Sequence, residues 1–441
     1  METMYPTDSY LIDEDHVWHK ELAVVVSAKD KAILRELAKQ VAEIAELPVQ
    51  RERKDLWARM VNLRETRPMV WMCDICWNEM AVSDELTLQT TGTFCRNIEE
   101  DLRQTLFRWR HMPCDMVVEP VVYAPRVFAN TGFGIDVQEK TVQTDADNAV
   151  VSHQFQQQIR NEDDIARIVT PKILYNAEKS AENFQAYSDI FDGILGVEYR
   201  GAPGIWYALW DKLITWTGIQ DTLMDLIERP EYIHKLLDRL MTASLGALDQ
   251  LEALNLLSLN NNNTRIGSGA YGYTDELPQE GFDPAHVRAT DIWGCAADQI
   301  LGSVSPKMHE EFAMHYDRQW LSRFGLTHYG CCEPLHNKIE LLRTLPNLRR
   351  ISISPWTDLE KAAAQVNGDY VLSIKVNPEV LARDDWHPQS ARKELETKMQ
   401  IAKEHNCQAE VIMKDISTVR HQPQRLFQWA EIAAEVAQTY G

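Results

Sequence analysis

The chain has 441 residues, 44% of them hydrophobic and 25% charged, with a formal charge of −21. That surplus of carboxylates argues against nucleic-acid or anionic-membrane partners, which need basic patches, and no run approaches the roughly 18 apolar residues of a membrane span. The eight cysteines are irregularly spaced, and the polar, acidic stretch Met1 to Asp15 has neither a signal-peptide nor a transit-peptide pattern, so free thiols in a reducing cytoplasm are expected.

The first elements are helical. Lys29 to Leu47 places Leu34, Leu37, Val41 and Ile44 on one face, and a second helix pattern runs from Glu52 to Leu63. These make residues 1–66 an N-terminal helical extension, with one domain over residues 67–441. Strand-like and helix-like runs then alternate. Met69–Cys73 reads as a strand, Phe94–Trp109 as a helix, Met116–Tyr123 as a strand and Lys172–Phe191 as a helix. Gly193–Tyr199 and Leu256–Asn260 follow as strands around the helix pattern Pro230–Leu254. The helix pattern Pro306–Phe324 leads to the strand Leu326–Cys331. Three further strands, Arg349–Pro355, Tyr370–Asn377 and Glu410–Ser417, alternate with helices over Leu335–Leu345, Asp358–Val366, Pro388–Asn406 and Pro423–Tyr440. Eight strands each followed by a helix imply right-handed crossovers and a parallel sheet, the pattern of an α/β TIM (β/α)8 barrel. An open doubly wound sheet is the alternative, but the chain has no G-x-G-x-x-G and no Walker glycine loop. Gly267–Gly281 reads as a long loop over the barrel mouth.

In such a barrel chemistry sits where strands end. Cys73-Asp74-Ile75-Cys76 closes the first strand, but no second C-x-x-C completes a four-thiolate site, and a structural or substrate-lining role is the better reading. Glu119 stands in the apolar run Val117–Val122, where a carboxylate is either paired or functional. Asn260–Asn263 reads first as a turn, although an amide such as Asn261 also suits a polar ligand. Lys375 and Asn377 share a strand face with Ser373, which suits an anion or a charge pair. Asp415 follows the last strand, where a general base or a metal ligand is useful. The densest cluster is Thr327-His328-Tyr329-Gly330-Cys331-Cys332-Glu333-Pro334. Imidazole and thiolates are the ligands zinc prefers, and a zinc with an open position polarises a substrate or activates a bound thiol or water. Strict alternation puts His328 and Cys332 on one face and Cys331 and Glu333 on the other. The competing reading is two small buried cysteines beside a satisfied histidine.

Several stretches resemble the uroporphyrinogen decarboxylase superfamily. They are Gly201-Ala202-Pro203-Gly204-Ile205-Trp206, Asp221 to Asp225, Ile227-Glu228-Arg229-Pro230-Glu231, and Ser303 to Phe312 leading into the His328 strand. The resemblance spans roughly residues 65–440 and implies a TIM barrel. The Arg-rich N-terminal signature of the true decarboxylases is missing, and the −21 charge does not favour their polycarboxylate substrate. The chain looks more like the zinc-dependent, corrinoid-linked methyltransferases. Their ligands include a His and a Cys separated by one residue on the strand that matches Leu326–Cys331. Here His328 is present, Gly330 stands at the expected cysteine, and Cys331 and Cys332 follow.

The resemblance therefore implies a zinc-assisted methyltransferase acting with a corrinoid (cobalamin) protein on a small, possibly methoxylated aromatic substrate, and a homodimer. His328, Cys331 and Cys332 would hold zinc, with Glu333 and Asp415 as catalytic carboxylates or further ligands. Glu119, Asn261, Lys375 and Asn377 would bind substrate. The alternatives are a metal-free decarboxylase or lyase in which Asp415 or Glu119 handles protons, and a non-catalytic binding barrel.

Overall fold

Eight parallel strands organise the chain: β1 Met69–Met72, β2 Val121–Pro125, β3 Gly196–Arg200, β4 Trp293–Ala296, β5 Leu326–Tyr329, β6 Leu348–Ile353, β7 Val371–Val376 and β8 Ala409–Met413. The computed structural model describes residues 23–143 and 151–440, so the acidic stretch Met1 to Asp15 lies outside the described residues. Six strands form one sheet in the order β1-β8-β7-β6-β5-β4, and β2 and β3 form a separate parallel pair. The register stacks apolar residues: Val70 and Ile374 both lie opposite Val411. Strands β1 and β5 to β8 are buried almost throughout and rich in Val, Ile, Leu and Met, as expected for a parallel sheet covered on both faces.

The α/β class and the parallel strands match the sequence expectation. The ladders do not close a ring of eight. Sparser bonds span the interval between β1 and β4. The Asp115 amide donates to Val70 O at 3.2 Å, and Ala202 bridges Leu257. The Asn260 side chain accepts from the Trp293 amide at 2.9 Å and donates to Trp293 O and Pro203 O. The expected strand Leu256–Asn260 is thus reduced to one bridge, because a side-chain amide, not a ladder, connects it to its neighbour. The position belongs to Trp293–Ala296, which the sequence hides: it is four residues long and carries Gly294, where a side chain would meet the Phe324 ring at 2.3 Å.

Helices cover the strands much as the periodicity predicts. The N-terminal pair, Ala28–Ala45 and Pro48–Val61, buries Leu34, Leu37, Val41, Trp57 and Met60 in one cluster with Phe94, Ile98, Trp71 and Trp293. Trp57 is fully buried and donates its indole N–H to Asp115 O at 2.8 Å. Three expected helices differ, and the one expected over Leu335–Leu345 shrinks to the single turn Ile339–Leu342. Ile173–Asn176 is a strand paired antiparallel with Val127–Asn130, so the helix begins only at Ala177, capped by Asn176 accepting from the Lys179 amide. The segment from Pro306 is interrupted by a π turn over Glu310–Met314 before helix His315–Leu321. A second antiparallel pair, Glu139–Gln143 with Val151–Phe155, extends the insertion after β2. Among the described residues no helix is long and apolar enough to cross a membrane.

Part of the glycine-rich stretch after Ile266 does not lie over a mouth. It is a plug, with Ile266, Ser268, Ala270, Tyr271 and Tyr273 all buried. A Cβ on Gly267 would stand 2.9 Å from His328, and one on Gly269 2.6 Å from Arg350, so the backbone comes closer to these side chains than any other residue permits. Arg350 donates to Ala270 O and Tyr271 O, and Glu410 accepts from the Ala270 amide at 3.0 Å. These bonds satisfy a buried loop's backbone, which has no water to turn to.

Candidate functional site

The plug consumes several residues that look functional in the sequence. His328 is fully buried. Its Nε2 lies 3.1 Å from Ser268 Oγ and 3.2 Å from Gly330 O, and its Nδ1 has no hydrogen-bond partner. Burial, with the nearby Lys375 and Arg350 cations, holds this imidazole neutral, well below the usual histidine range. Lys375 donates to Ser373 O at 3.0 Å and to Ser373 Oγ, which in turn donates to Glu410 at 2.6 Å. Burial pulls the Lys375 ammonium down to about 7, with Glu410 opposing. Glu119 accepts from Tyr273 Oη at 2.8 Å and pairs with Lys54 at 3.0 Å. Asn261 donates to Leu277 O, and Asn377 forms a turn with Glu379. None of these five lines the pocket described below.

That pocket, about 1000 Å³, opens where β5 and β8 end. Its floor includes Cys331, Cys332, Lys414, Asp415 and Gln299. One wall comes from residues 130–137 with Glu139, His153 and Phe155 of the insertion, the other from Trp206–Leu209, Asp211, Lys212 and Thr215. Of the expected site residues, Cys331, Cys332 and Asp415 are here. The insertion and Asp211 carry no motif. The strand Glu139–Gln143 has one apolar residue and no alternation, so only the fold reveals it and what it covers.

Cys331 and Cys332 are free thiols with their sulfurs 3.6 Å apart. The Cys331 S–H donates toward Cys332, and that bond together with nearby Lys414 brings the Cys332 thiol down to about 7, against the upward pull of burial. Cys331 is pushed well up by the same bond and by burial. Lys414 pairs with Asp415, which takes a left-handed conformation at φ +55° and presents its amide to Asp74. Asp74, also left-handed at φ +49°, is paired with Arg265 at 2.9 Å. The ends of β1 and β8 are therefore tied together. Glu79 strengthens the tie by accepting from Thr418 Oγ1 and the Val419 and His421 amides.

Behind the floor lies a buried acid cluster. Glu333 accepts from the Asp298 amide at 3.1 Å and the Cys331 amide at 2.9 Å, so it clamps the loop and does not face the pocket. Tyr329 Oη is 3.1 Å from Asp298 and 3.0 Å from Asp317. The Lys338 ammonium, 3.1 Å from His309 Nδ1, can only donate, so the His309 proton sits on Nε2 and points to Tyr329 Oη at 3.0 Å. Tyr329 then has one proton for two carboxyls, and the second carboxyl must carry its own. Burial accordingly pushes Asp298 well up, with repulsion from Asp317 and Glu333 adding, and pushes Asp317 up to about 6 against the hydrogen bonds from Asp298 and Tyr329.

The donors present do not make the expected zinc site. Among the described residues no group of three or more His, Cys, Asp or Glu is placed to hold a metal ion. His328 is spent on the plug. Gly330, where the resemblance expects cysteine, has φ +95°, and a side chain there would meet Leu335 at 2.7 Å.

No protein-family model matches the chain, and no curated protein does. A solved structure described as a methyltransferase from Methanosarcina mazei is similar to it. The two are 10% identical, the TM-score is 0.50, and the match covers 88% of this chain and 98% of that one. At that identity the likeness shows the fold alone.

Proposed function

We propose that this chain is a methyltransferase that takes a methyl group from a small molecule held in the pocket, on an eight-stranded, barrel-like scaffold of the uroporphyrinogen decarboxylase kind. The observation that carries the reading is the pocket's position and lining. It lies where parallel strands end, the usual place for chemistry in such scaffolds, and it sets Cys332, Lys414 and Asp211 around one cavity. The likeness to a solved methyltransferase supports it at the level of fold. A partner-borne corrinoid would supply a soft nucleophile for the methyl group. This chain's part is to bind and orient the donor: the insertion excludes water from one side, and Lys414, held charged against burial by the Asp415 and Asp74 carboxylates, attracts an anionic substituent. No step is routed through zinc, since the donors do not converge.

The test is incubation of purified protein with methoxylated aromatics and free cob(I)alamin, following methylcobalamin by absorbance and the demethylated product by mass spectrometry. Turnover above the protein-free rate, with a raised KM in Lys414→Met, is expected. No transfer from any donor sinks the reading. Release of carbon dioxide from the carboxylated analogues instead would favour a cofactor-free decarboxylase, a reading that the two lysines lining the pocket, Lys212 and Lys414, also suit.

A further inference from the structure

We propose that Asp211 is the general acid of this pocket, giving its proton to the oxygen that leaves when a methyl ether is cleaved. The inference rests on the methyl-transfer reading and narrows its substrate to ethers whose leaving alkoxide or phenoxide needs that proton.

Asp211 stands in the first turn of helix Leu209–Thr217 and lines the cavity. Its Oδ2 accepts from Gln299 Nε2 at 2.5 Å, while Oδ1 is buried with no hydrogen-bond partner. An ionised carboxylate accepts at both oxygens, and leaving one buried without a donor is costly. The protonated form has no such need. Its hydroxyl is a donor without an acceptor, and a turn of the side chain into the cavity that Asp211 lines brings it to a ligand. The surroundings favour the same form. Burial pushes this carboxyl up to about 7, and the Asp298 and Glu333 carboxyls add repulsion, outweighing Gln299. A helix N-terminus pulls the other way, and burial wins. Of the other carboxyl groups lining the cavity, Asp415 is engaged by Lys414 and more than half exposed, Glu139 is paired with His153, and Asp136 is exposed, so the proton donor's role falls to Asp211.

The step balances. The methyl C–O bond breaks and its electron pair stays on oxygen. Asp211 transfers its proton to that oxygen, releasing a phenol or alcohol, and the methyl group is taken by the electron pair of a soft nucleophile of the reduced corrinoid class. Asp211, left as carboxylate, recovers a proton from water.

The experiment compares wild type, Asp211→Asn and Asp211→Glu on methoxyarenes whose phenols differ widely in acidity, with cob(I)alamin as acceptor. Asp211→Asn is expected to lose about 10²- to 10⁴-fold in kcat/KM for weakly acidic phenols and under about tenfold for nitrophenols, which leave unaided. Asp211→Glu should keep part of the rate, and the fall in kcat/KM above about pH 7 should vanish in Asp211→Asn. Equal loss across the series would make Asp211 a positioning residue and overturn the proposal. Infrared titration of wild type against Asp211→Asn separates the two levels. A carboxyl that ionises in the ordinary aspartate range while methyl transfer proceeds refutes the acid and spares the function. No transfer from any ether, with a carboxyl still protonated near neutrality, refutes the function and this role with it.

Discussion

Arg350 and Glu410 offer the sharpest test of how the plug is held. Both side chains are fully buried, with Arg350 Nε 3.6 Å from Glu410 Oε1. Replacing Arg350 by Met keeps most of the apolar volume but removes the bonds to Ala270 O (3.1 Å) and Tyr271 O (2.8 Å) and a cation 5.2 Å from the Trp293 ring. Each bond from a charged donor is worth about 1.5–3 kcal/mol. Glu410 would keep only the buried, partly deprotonated Lys375 as a countercharge. Breaking one side of a buried pair costs about 3–5 kcal/mol, and the same range applies to Glu410→Gln. The double variant leaves no uncompensated charge at this pair, so its loss should fall short of the summed single losses by about 1–3 kcal/mol. Urea unfolding followed by tryptophan fluorescence and near-ultraviolet circular dichroism measures all four proteins. Strict additivity would mean that the two charges do not sense each other, and the account of the plug as an electrostatic unit would fail.

Two further outcomes follow from the ionisable groups. Alkylation of Cys332 by iodoacetamide, read by peptide mass mapping, should titrate near pH 7 and shift upward in Cys331→Ala, which loses the S–H donor. A midpoint already in the ordinary thiol range for wild type would remove the assigned cause. His328 has its folded-state pKa depressed below the ordinary 6.5, so its stabilising contribution is whole above that value and is lost as pH falls beneath it. Wild type should therefore lose more stability between pH 7.5 and 5 than His328→Asn, in urea midpoints measured at each pH. An equal loss would show that His328 is free to protonate in the folded chain.

The parts of the fold legible in the sequence are those fixed by local periodicity. Leu34, Leu37 and Val41 announce the first helix, and the branched runs of β6 to β8 announce a buried parallel sheet. What stayed hidden depends on contacts between distant residues. Trp293–Ala296 is too short to show a period, and Asn260 works through its side chain, which looks like turn chemistry until Trp293 is seen beside it. The site divides the same way. Cys331, Cys332 and Asp415 could be placed because strand ends are where ligands gather, whereas Asp211 has no motif and becomes visible only through Gln299, Asp298 and Glu333. His328 was misleading because residue type alone cannot tell a ligand from a buried neutral imidazole. The plug decides that, and the sequence shows it only as a glycine-rich loop over the barrel mouth.

Gly330 carries the last consequence. If the lack of a converging donor set were merely a missing cysteine, Gly330→Cys would restore it. The backbone says otherwise. At φ +95° a non-glycine residue is strained by about 1–3 kcal/mol, and its Cβ would stand 2.7 Å from Leu335 Cδ1 and 3.1 Å from Ser352 Cβ. To relieve this the loop must shift, yet the Glu333 carboxylate holds it through the Cys331 amide and Ser352 Oγ holds it through Cys331 O at 2.8 Å. Gly330→Cys should thus lower the unfolding midpoint and leave zinc content, measured by mass spectrometry, at the wild-type level. A variant that gained one zinc per chain with no loss of stability would show that the loop relaxes freely and that His328 can leave Ser268, and both the account of the plug and the finding that the donors do not converge would have to be abandoned.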